Sequence, residues 1–267
     1  MSFAISVERP QSTGIGGGGF MMIRHASSEK IEAVDFREKA PLKSSSKMFL
    51  DSSGNEIKNK SLNGIFASGV PGLVAGVIEI HQKYGKLPLN QIIEPAIQLA
   101  LNGIEIDSHL DSALEKRQNI LKEFPSSKKI FFKEDQVLKK GDILKQLDLA
   151  ESLKEIQKNG RNGFYQNIAS KIVKTSKQYG GLLTENDFKN YNVVWREPVY
   201  GEYRGSKIFS MPPPSSGGVH LIEMLNILEN VPLNKIKNQS TEMIHLITQA
   251  MQQAYADRAA HMADSDF

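Results

Sequence analysis

A run of glycines at residues 14–19 constrains this chain more than any other feature, because glycine allows another backbone to pack directly against its own. Two apolar segments follow at residues 21–23 and 31–34, and a polar turn at residues 27–30 separates them. This order of signals predicts a β-hairpin that leaves the glycine run and ends at Asp35. The residues just after Asp35 are therefore expected at the end of a strand.

The segment that follows is Asp35-Phe36-Arg37-Glu38-Lys39-Ala40-Pro41. An arginine at a strand end can hold a carboxylate through two parallel N–H···O bonds, so Arg37 is a candidate for binding an acidic substrate. On the residues alone, the simpler explanation is an ion pair of Arg37 with Asp35 or Glu38. We expect Asp35 and Glu38 to orient the loop rather than to transfer protons.

The glycine run does not have the pattern of a phosphate-binding loop, because no Lys-Ser or Lys-Thr pair follows and the next segment is strand-like. We expect close packing of the run against other backbone or against substrate. The serines of Pro214-Ser215-Ser216-Gly217-Gly218 do not lie in a Gly-x-Ser-x-Gly nucleophile elbow. They are predicted to be helix caps.

Composition excludes several function classes. The chain has no cysteine, which rules out disulfides, thiol catalysis and cysteine-ligated zinc, and no two of its 6 histidines have the His-x-x-x-His spacing of a helical zinc site. A net charge of +3 gives no argument for nucleic acid as a partner. No apolar stretch approaches the ~20 residues that span a bilayer. No cofactor, metal, nucleic-acid partner or membrane span is expected.

Periodicity predicts helices in the middle of the chain and strands toward both ends, which favours an α+β fold. A single strand is predicted over residues 193–203, paired with another over 206–210. Tyr255, Asp257 and Arg258 are predicted to form a buried polar contact on the last helix. The first predicted helix opens at residues 68–71 and is closed by Gly85. Further helices are predicted over residues 89–101, 108–122, 148–158, 166–179 and 219–228. Residues 184–187, which begin with Thr184, are predicted to cap a short helix, and the last helix is predicted to start near Ser240 and to run toward residue 261.

Taken together, the motifs resemble those of the gamma-glutamyltransferases, or glutathione hydrolases, a family of N-terminal-nucleophile hydrolases. The resemblance covers nearly the whole chain in the family's order. Besides the glycine run and the segment around Arg37, it rests on Gly69-Val70-Pro71-Gly72, Gly163-Phe164-Tyr165, Arg196-Glu197-Pro198-Val199, Tyr203-Arg204-Gly205, Pro213-Pro214-Ser215-Ser216-Gly217-Gly218, Tyr255-Ala256-Asp257-Arg258 and Asp264-Ser265-Asp266-Phe267.

The resemblance implies an αββα sandwich fold and an acyl transfer reaction on glutathione or related gamma-glutamyl compounds. It implies that Arg37 binds the substrate α-carboxylate, and that the nucleophile is a threonine at the start of a small subunit cut from the same precursor. That threonine is expected beyond Phe267, so no catalytic residue is expected in this chain. Residues 1–267 are expected to be an incomplete large-subunit part of a single domain, and the compartment is expected to be periplasmic or extracellular.

Two other functions stay open at this point. A cephalosporin-type acylase of the same superfamily would use the same fold on a glutaryl group, which also carries a carboxylate. A non-catalytic scaffold would keep the fold without the small subunit.

Overall fold

The structure is a computed structural model that describes residues 1–266. The helices are α1 (Ser2–Glu8), α2 (Leu73–Tyr84), α3 (Leu89–Asn102), α4 (Ser108–Glu123), α5 (Pro125–Phe131), α6 (Leu147–Asn162), α7 (Ala169–Gln178), α8 (Glu185–Lys189), α9 (Gly217–Glu229) and α10 (Thr241–His261). The strands are β1 (Phe20–Arg24), β2 (Ile31–Asp35), β3 (Ile104–Glu105), β4 (Phe132–Lys133), β5 (Gln136–Val137), β6 (Ile143–Leu144), β7 (Val194–Arg196), β8 (Val199–Tyr203) and β9 (Ser206–Ser210).

The chain forms two compact units. The first contains residues 1–19 and 36–193, and the second contains residues 20–35 and 194–267, of which Phe267 lies outside the described residues. The regular secondary structure of the first unit is mainly helical, and its strands form only the short pairs β3–β6 and β4–β5. The second unit holds the longer antiparallel strands together with α9 and α10. The strands pair antiparallel, and most of the helices follow one another in the middle of the chain, in agreement with the predicted α+β fold.

The first unit is built on a continuous apolar core between α3 and α6. These two helices bury Ile93, Ile97, Leu153 and Ile156 almost completely. Helix α1, which the sequence did not predict, adds Phe3 and Val7 to the same cluster. A smaller cluster forms around α4 and β6 from Ile106, Leu110, Leu114 and Leu144.

The second unit contains an antiparallel sheet of β1, β2 and β7, in which Asp35 lies opposite Val194 and Ala33 lies opposite Arg196. Strands β8 and β9 form a separate hairpin. The hairpin turns at Arg204 and Gly205, which both have positive φ, as a type I′ hairpin turn requires. Helices α9 and α10 pack against each other.

Some predicted elements are wrong in detail. The single strand over residues 193–203 is two strands, β7 and β8, which pair with different neighbours and are separated at Glu197 and Pro198. Proline has no N–H to donate to a ladder, which explains why the strand is interrupted there. The helix predicted to open at residues 68–71 begins only at Leu73, because Val70 forms a β-bridge with Lys39.

The predicted loop between α6 and the next helix is shorter than expected. Gly160 alone has non-helical angles, φ 56° and ψ −134°, and a π-helical turn from Gly163 to Ile168 leads directly into α7. The buried polar contact predicted for α10 is also wrong, because Tyr255 is 55% exposed and Arg258 is exposed.

Candidate functional site

The glycine run packs directly against the backbone of the segment that contains Arg37. Gly19 and Phe36 exchange two backbone hydrogen bonds, of 3.2 and 3.0 Å. A Cβ atom on Gly18 would lie 2.5 Å from the Phe36 carbonyl oxygen and 2.7 Å from the Glu38 nitrogen, so only glycine fits there. The predicted role of the run in close backbone packing is confirmed.

A second backbone segment bonds to residues 36–42, which we call the Arg37 loop. Lys39 and Val70 exchange backbone hydrogen bonds of 3.1 and 2.7 Å. The N–H groups of Gly72 and Leu73, at the start of α2, both donate to the carbonyl of Gly17 at 2.9 Å. The glycine run, residues 36–39 and the start of α2 therefore form one hydrogen-bonded assembly.

Tyr191 bonds to the backbone of Arg37 itself. Its hydroxyl donates to the Arg37 carbonyl at 2.8 Å, and its side chain is buried. Tyr191 stacks on Tyr165 with ring centroids 5.7 Å apart, and the Tyr165 hydroxyl donates to the Pro71 carbonyl at 2.7 Å. Burial raises the pKa of Tyr165, so this hydroxyl keeps its proton at physiological pH.

The start of α8 holds the Arg37 loop at Leu42. Thr184 and Asp187 form the predicted cap, here a capping box, in which Asp187 accepts from the backbone N–H and hydroxyl of Thr184. The other carboxylate oxygen of Asp187 accepts from the Leu42 N–H at 2.6 Å. Asp187 is 4% exposed, so it joins two distant chain segments in a nearly dry environment.

The Arg37 side chain is exposed although its backbone is held in this way. Glu38 lies over the glycine run, since a Cβ atom on Gly17 would be 3.4 Å from the Glu38 Oε1. The site therefore combines a fixed main chain with a solvent-facing guanidinium. A group placed like this can present two parallel N–H donors to a carboxylate.

In the second unit, Asp35 forms an ion pair with Arg196. Arg196 Nε donates to the Asp35 Oδ2 at 3.0 Å, and two other nitrogens of Arg196 bond to both oxygens of Asp266 at 3.0 and 2.6 Å. These hydrogen bonds raise the pKa of Arg196, and the bond to Asp266 contributes more than the bond to Asp35. The sequence motifs contain all three residues but carry no signal that pairs them. Phe267, the last residue of that motif, lies outside the described residues.

Other candidates do not form a reactive site. Ser216 is the N-cap residue of α9 but makes no side-chain cap bond, whereas the Ser215 hydroxyl accepts weakly from the Gly217 N–H at 3.4 Å. Residues 1–266 contain no group of three or more His, Asp or Glu side chains that could hold a metal ion. No helix within that part of the chain has the length and apolarity needed to cross a bilayer.

Comparison with known proteins gives a consistent result. A family profile described as gamma-glutamyltranspeptidase matches residues 1–267. The chain is 43% identical to the glutathione hydrolase proenzyme of Escherichia coli strain K12 over 269 residues, which is all of this chain and 46% of that protein. It is 34% identical to the Acylase ACY 1 proenzyme of Pseudomonas sp. strain SE83, covering 99% of this chain and 49% of that protein.

Among solved structures, the gamma-glutamyltranspeptidase of Helicobacter pylori superposes with a TM-score of 0.96 at 46% identity, covering 100% of this chain and 76% of that chain. This similarity confirms the predicted fold class, a partial N-terminal-nucleophile hydrolase fold. The chain spans about half the length of the curated relatives it matches. With a family profile matched over its whole length, the chain belongs to the gamma-glutamyltranspeptidase family.

Proposed function

We propose that this chain acts as part of a gamma-glutamyltransferase of the glutathione hydrolase type, and that Arg37 binds the α-carboxylate of the gamma-glutamyl group. The observation that carries the proposal is the geometry around Arg37. Its carbonyl and the neighbouring backbone are fixed by hydrogen bonds on both sides, while its side chain faces solvent. A fixed main chain limits the positions of the guanidinium, which favours bidentate recognition of a planar carboxylate.

The reaction we propose is acyl transfer through a covalent intermediate. A threonine hydroxyl oxygen attacks the gamma-carbonyl carbon, and its proton passes to the departing amine as the amide C–N bond breaks. Water or an amino acid then attacks the resulting ester and releases the threonine. In line with the family resemblance, we assign this threonine to the small subunit of the same precursor, so residues 1–267 supply the carboxylate contact and no catalytic group.

The same resemblance supports two further parts of the proposal. Both units would belong to one domain that includes the small subunit, and the protein would work in the periplasm or outside the cell. The natural substrates would be glutathione and related gamma-glutamyl amides. No cofactor or metal enters the proposed reaction, since the nucleophile is activated by its own α-amine.

The test compares wild type with Arg37→Lys in the mature enzyme that contains this chain. One substrate is a chromogenic gamma-glutamyl anilide, and the other is its analogue without the α-carboxylate. We expect Arg37→Lys to lower kcat/KM for the first substrate about ten- to a hundredfold, because one ammonium cannot replace the two-donor fork and a charge-assisted hydrogen bond contributes about 1.5–3 kcal/mol. The analogue should be processed equally by both enzymes.

The matched control is Arg24→Lys, at an exposed arginine whose partner is Glu29. It should leave kcat/KM for both substrates unchanged. Equal losses on both substrates after Arg37→Lys would mean that Arg37 acts through folding or maturation, and the assignment of Arg37 to the substrate carboxylate would then be wrong.

A second candidate function is an acylase acting on glutaryl amides, and it is favoured by the 34% identity to Acylase ACY 1. Glutaryl and gamma-glutamyl groups both end in a carboxylate that Arg37 could bind, but only the glutamyl group has an α-amine. A comparison of kcat/KM for a glutaryl anilide and a gamma-glutamyl anilide separates the two functions. Faster turnover of the glutaryl compound would favour the acylase.

A further inference from the structure

Two hydrogen bonds from one short segment hold the Arg37 loop, one at Arg37 and one at Leu42. The segment comprises residues 184–191. Its Tyr191 hydroxyl donates to the Arg37 carbonyl at 2.8 Å, and its Asp187 accepts from the Leu42 N–H at 2.6 Å. These contacts join parts of the chain that are 154 and 145 residues apart. Neither side chain belongs to the loop that they hold.

We propose that Tyr191 is a positioning residue, which sets the affinity for the substrate carboxylate by fixing the peptide group that follows Arg37. The inference rests on the proposed role of Arg37 and deepens it. Tyr191 itself would touch neither substrate nor reacting atoms.

Tyr191 is suited to this role because it is itself rigidly held. Its side chain is 2% exposed and stacks on Tyr165 with an interplanar angle of 22°. The Arg161 guanidinium lies 4.5 Å from the centre of the Tyr165 ring and also donates to the Tyr191 carbonyl. The hydroxyl packs closely against Gly72 just before α2, since a Cβ atom added there would lie only 2.0 Å from it.

The hydrogen bond from Tyr191 restrains the Arg37 loop at the residue that carries the guanidinium. On one side of Arg37, Phe36 is anchored by its bonds to Gly19 and by its buried ring. On the other side, Lys39 is anchored by its bridge to Val70. The carbonyl of Arg37 lies between these anchors, so its hydrogen bond to Tyr191 fixes the peptide plane next to the guanidinium-bearing residue. A binding site of this kind tolerates displacements of its binding groups, here the guanidinium, of only about 0.5 Å.

The experiment uses the mature enzyme that contains this chain and measures kcat and KM with the gamma-glutamyl anilide and with its analogue without the α-carboxylate. Tyr191→Phe removes only the hydroxyl. The matched control is Tyr165→Phe, which also removes a buried hydroxyl that donates to a backbone carbonyl, but the acceptor there is Pro71. Thermal unfolding of each variant reports the loss of stability that both substitutions share.

We expect Tyr191→Phe to raise KM for the gamma-glutamyl substrate about two- to tenfold, the range that corresponds to one hydrogen bond, with a smaller change in kcat. The analogue should show no such change. Tyr165→Phe should lower stability by a similar amount and leave the ratio of kcat/KM between the two substrates unchanged. In the Arg37→Lys background, Tyr191→Phe should not change this ratio further, because the effects of substitutions at residues that act as a unit are not additive.

Each contrary result has a distinct meaning. If Arg37→Lys discriminates between the substrates and Tyr191→Phe does not, the positioning role is wrong while the proposed function stands. If both tyrosine variants change the ratio equally, the effect comes from the rigidity of the stack, and the assignment to the Tyr191 hydroxyl is wrong. If Arg37→Lys itself fails to discriminate, the proposed function is the part that fails.

Discussion

At the scale of single residues, two arginines of this chain differ in exposure. Arg196 is 14% exposed, and its guanidinium bonds to the carboxylates of both Asp35 and Asp266. Arg37 has an exposed side chain on a backbone held by Tyr191. The contacts of Arg196 hold parts of the second unit together, whereas the exposure of Arg37 is what its proposed contact with a substrate carboxylate requires.

We predict that Arg196→Met destabilises the second unit by about 1.5–3 kcal/mol, the usual contribution of hydrogen bonds to charged groups. Asp35, whose side chain is 8% exposed, would lose a cationic partner. The matched control is Arg24→Met on β1, because Arg24 and Glu29 are 59% and 80% exposed. An exposed pair of this kind contributes about 0–1 kcal/mol.

The measurement is urea unfolding of both variants, followed by the fluorescence of Trp195 on β7. The Arg196→Met midpoint should fall well below that of wild type, and the Arg24→Met midpoint should stay close to it. Equal shifts in the two variants would show that the Arg196 network adds nothing beyond an ordinary surface pair.

The sequence predicts a binding role for Arg37 but does not indicate which residues hold its backbone. The segment around Arg37 is a local motif, so its chemistry can be inferred without knowledge of the fold. The bonds to Tyr191, Asp187 and Arg196 depend on contacts between residues 145–161 positions apart, and one sequence contains no signal for such pairs. The pairing of Asp35 with Arg196 likewise joins residues that are far apart in the sequence, so no local pattern indicates it.

At the scale of elements, the glycine run, the Arg37 loop and the start of α2 depend on one another. Gly18 packs against the loop backbone, and a Cβ atom on Gly72 would lie 2.0 Å from the Phe36 carbonyl oxygen. The Phe36 ring is covered by Gly76 of α2, where a Cβ atom would approach it to 2.2 Å. Glycine is thus required at several contact points because three backbones meet around Phe36.

We predict that Gly18→Ala destabilises the first unit by about 1–3 kcal/mol, the usual cost of overpacking, because the added methyl meets backbone atoms that cannot rotate away. Gly16→Ala is the matched control in the same run. A Cβ atom there has nothing within 4 Å, and its φ lies outside the left-handed region. This change should be neutral or slightly stabilising.

Thermal unfolding of the two variants and wild type tests this prediction. In the mature enzyme, Gly18→Ala should also weaken turnover of the gamma-glutamyl substrate, because the loop carrying Arg37 must shift. A Gly18→Ala variant as stable and active as Gly16→Ala would contradict the close packing of the run.

Element boundaries were predictable where local chemistry decides them. The start of α10 near Ser240, whose hydroxyl caps the helix, and the cap of α8 at Thr184 were both predicted. The strand over residues 193–203 was predicted wrongly because its two halves pair with different neighbours, which the apolar pattern does not reveal. Helix α1 was missed because its seven residues are stabilised by packing of Phe3 and Val7 rather than by a local cap.

At the scale of the whole molecule, the two units differ in how much apolar surface they bury. The first unit has an extended core in which Ile93, Ile97, Leu153 and Ile156 are at most 1% exposed. In the described part of the second unit, Ala33, Val34, Ala250 and Ala254 are at most 1% exposed, and the larger side chains Met211 and Leu228 are 7% and 9% exposed. Composition and periodicity could not predict this difference, because they identify amphipathic elements but not how completely each is covered.

Helix α10 shows the difference most clearly. Ile244, Ile247, Met251 and Tyr255 recur at helical spacing along it and are 40–58% exposed. Only Ala250 and Ala254 of the helix are fully buried. A helix with so little buried apolar surface gains little from packing, so its hydrogen bonds should open more readily than those of a core helix.

We therefore predict that backbone amides of α10 exchange with solvent at least about tenfold faster than those of α6 in isolated residues 1–267, after correction for intrinsic rates. Hydrogen exchange followed by mass spectrometry measures both helices in one sample. Residues 147–158 of α6 are the internal reference, because they precede the interruption at Gly160 and include Leu153 and Ile156, which are fully buried. Equal protection of the two helices would mean that α10 is as stably packed as the core, and the inferred difference between the units would be wrong.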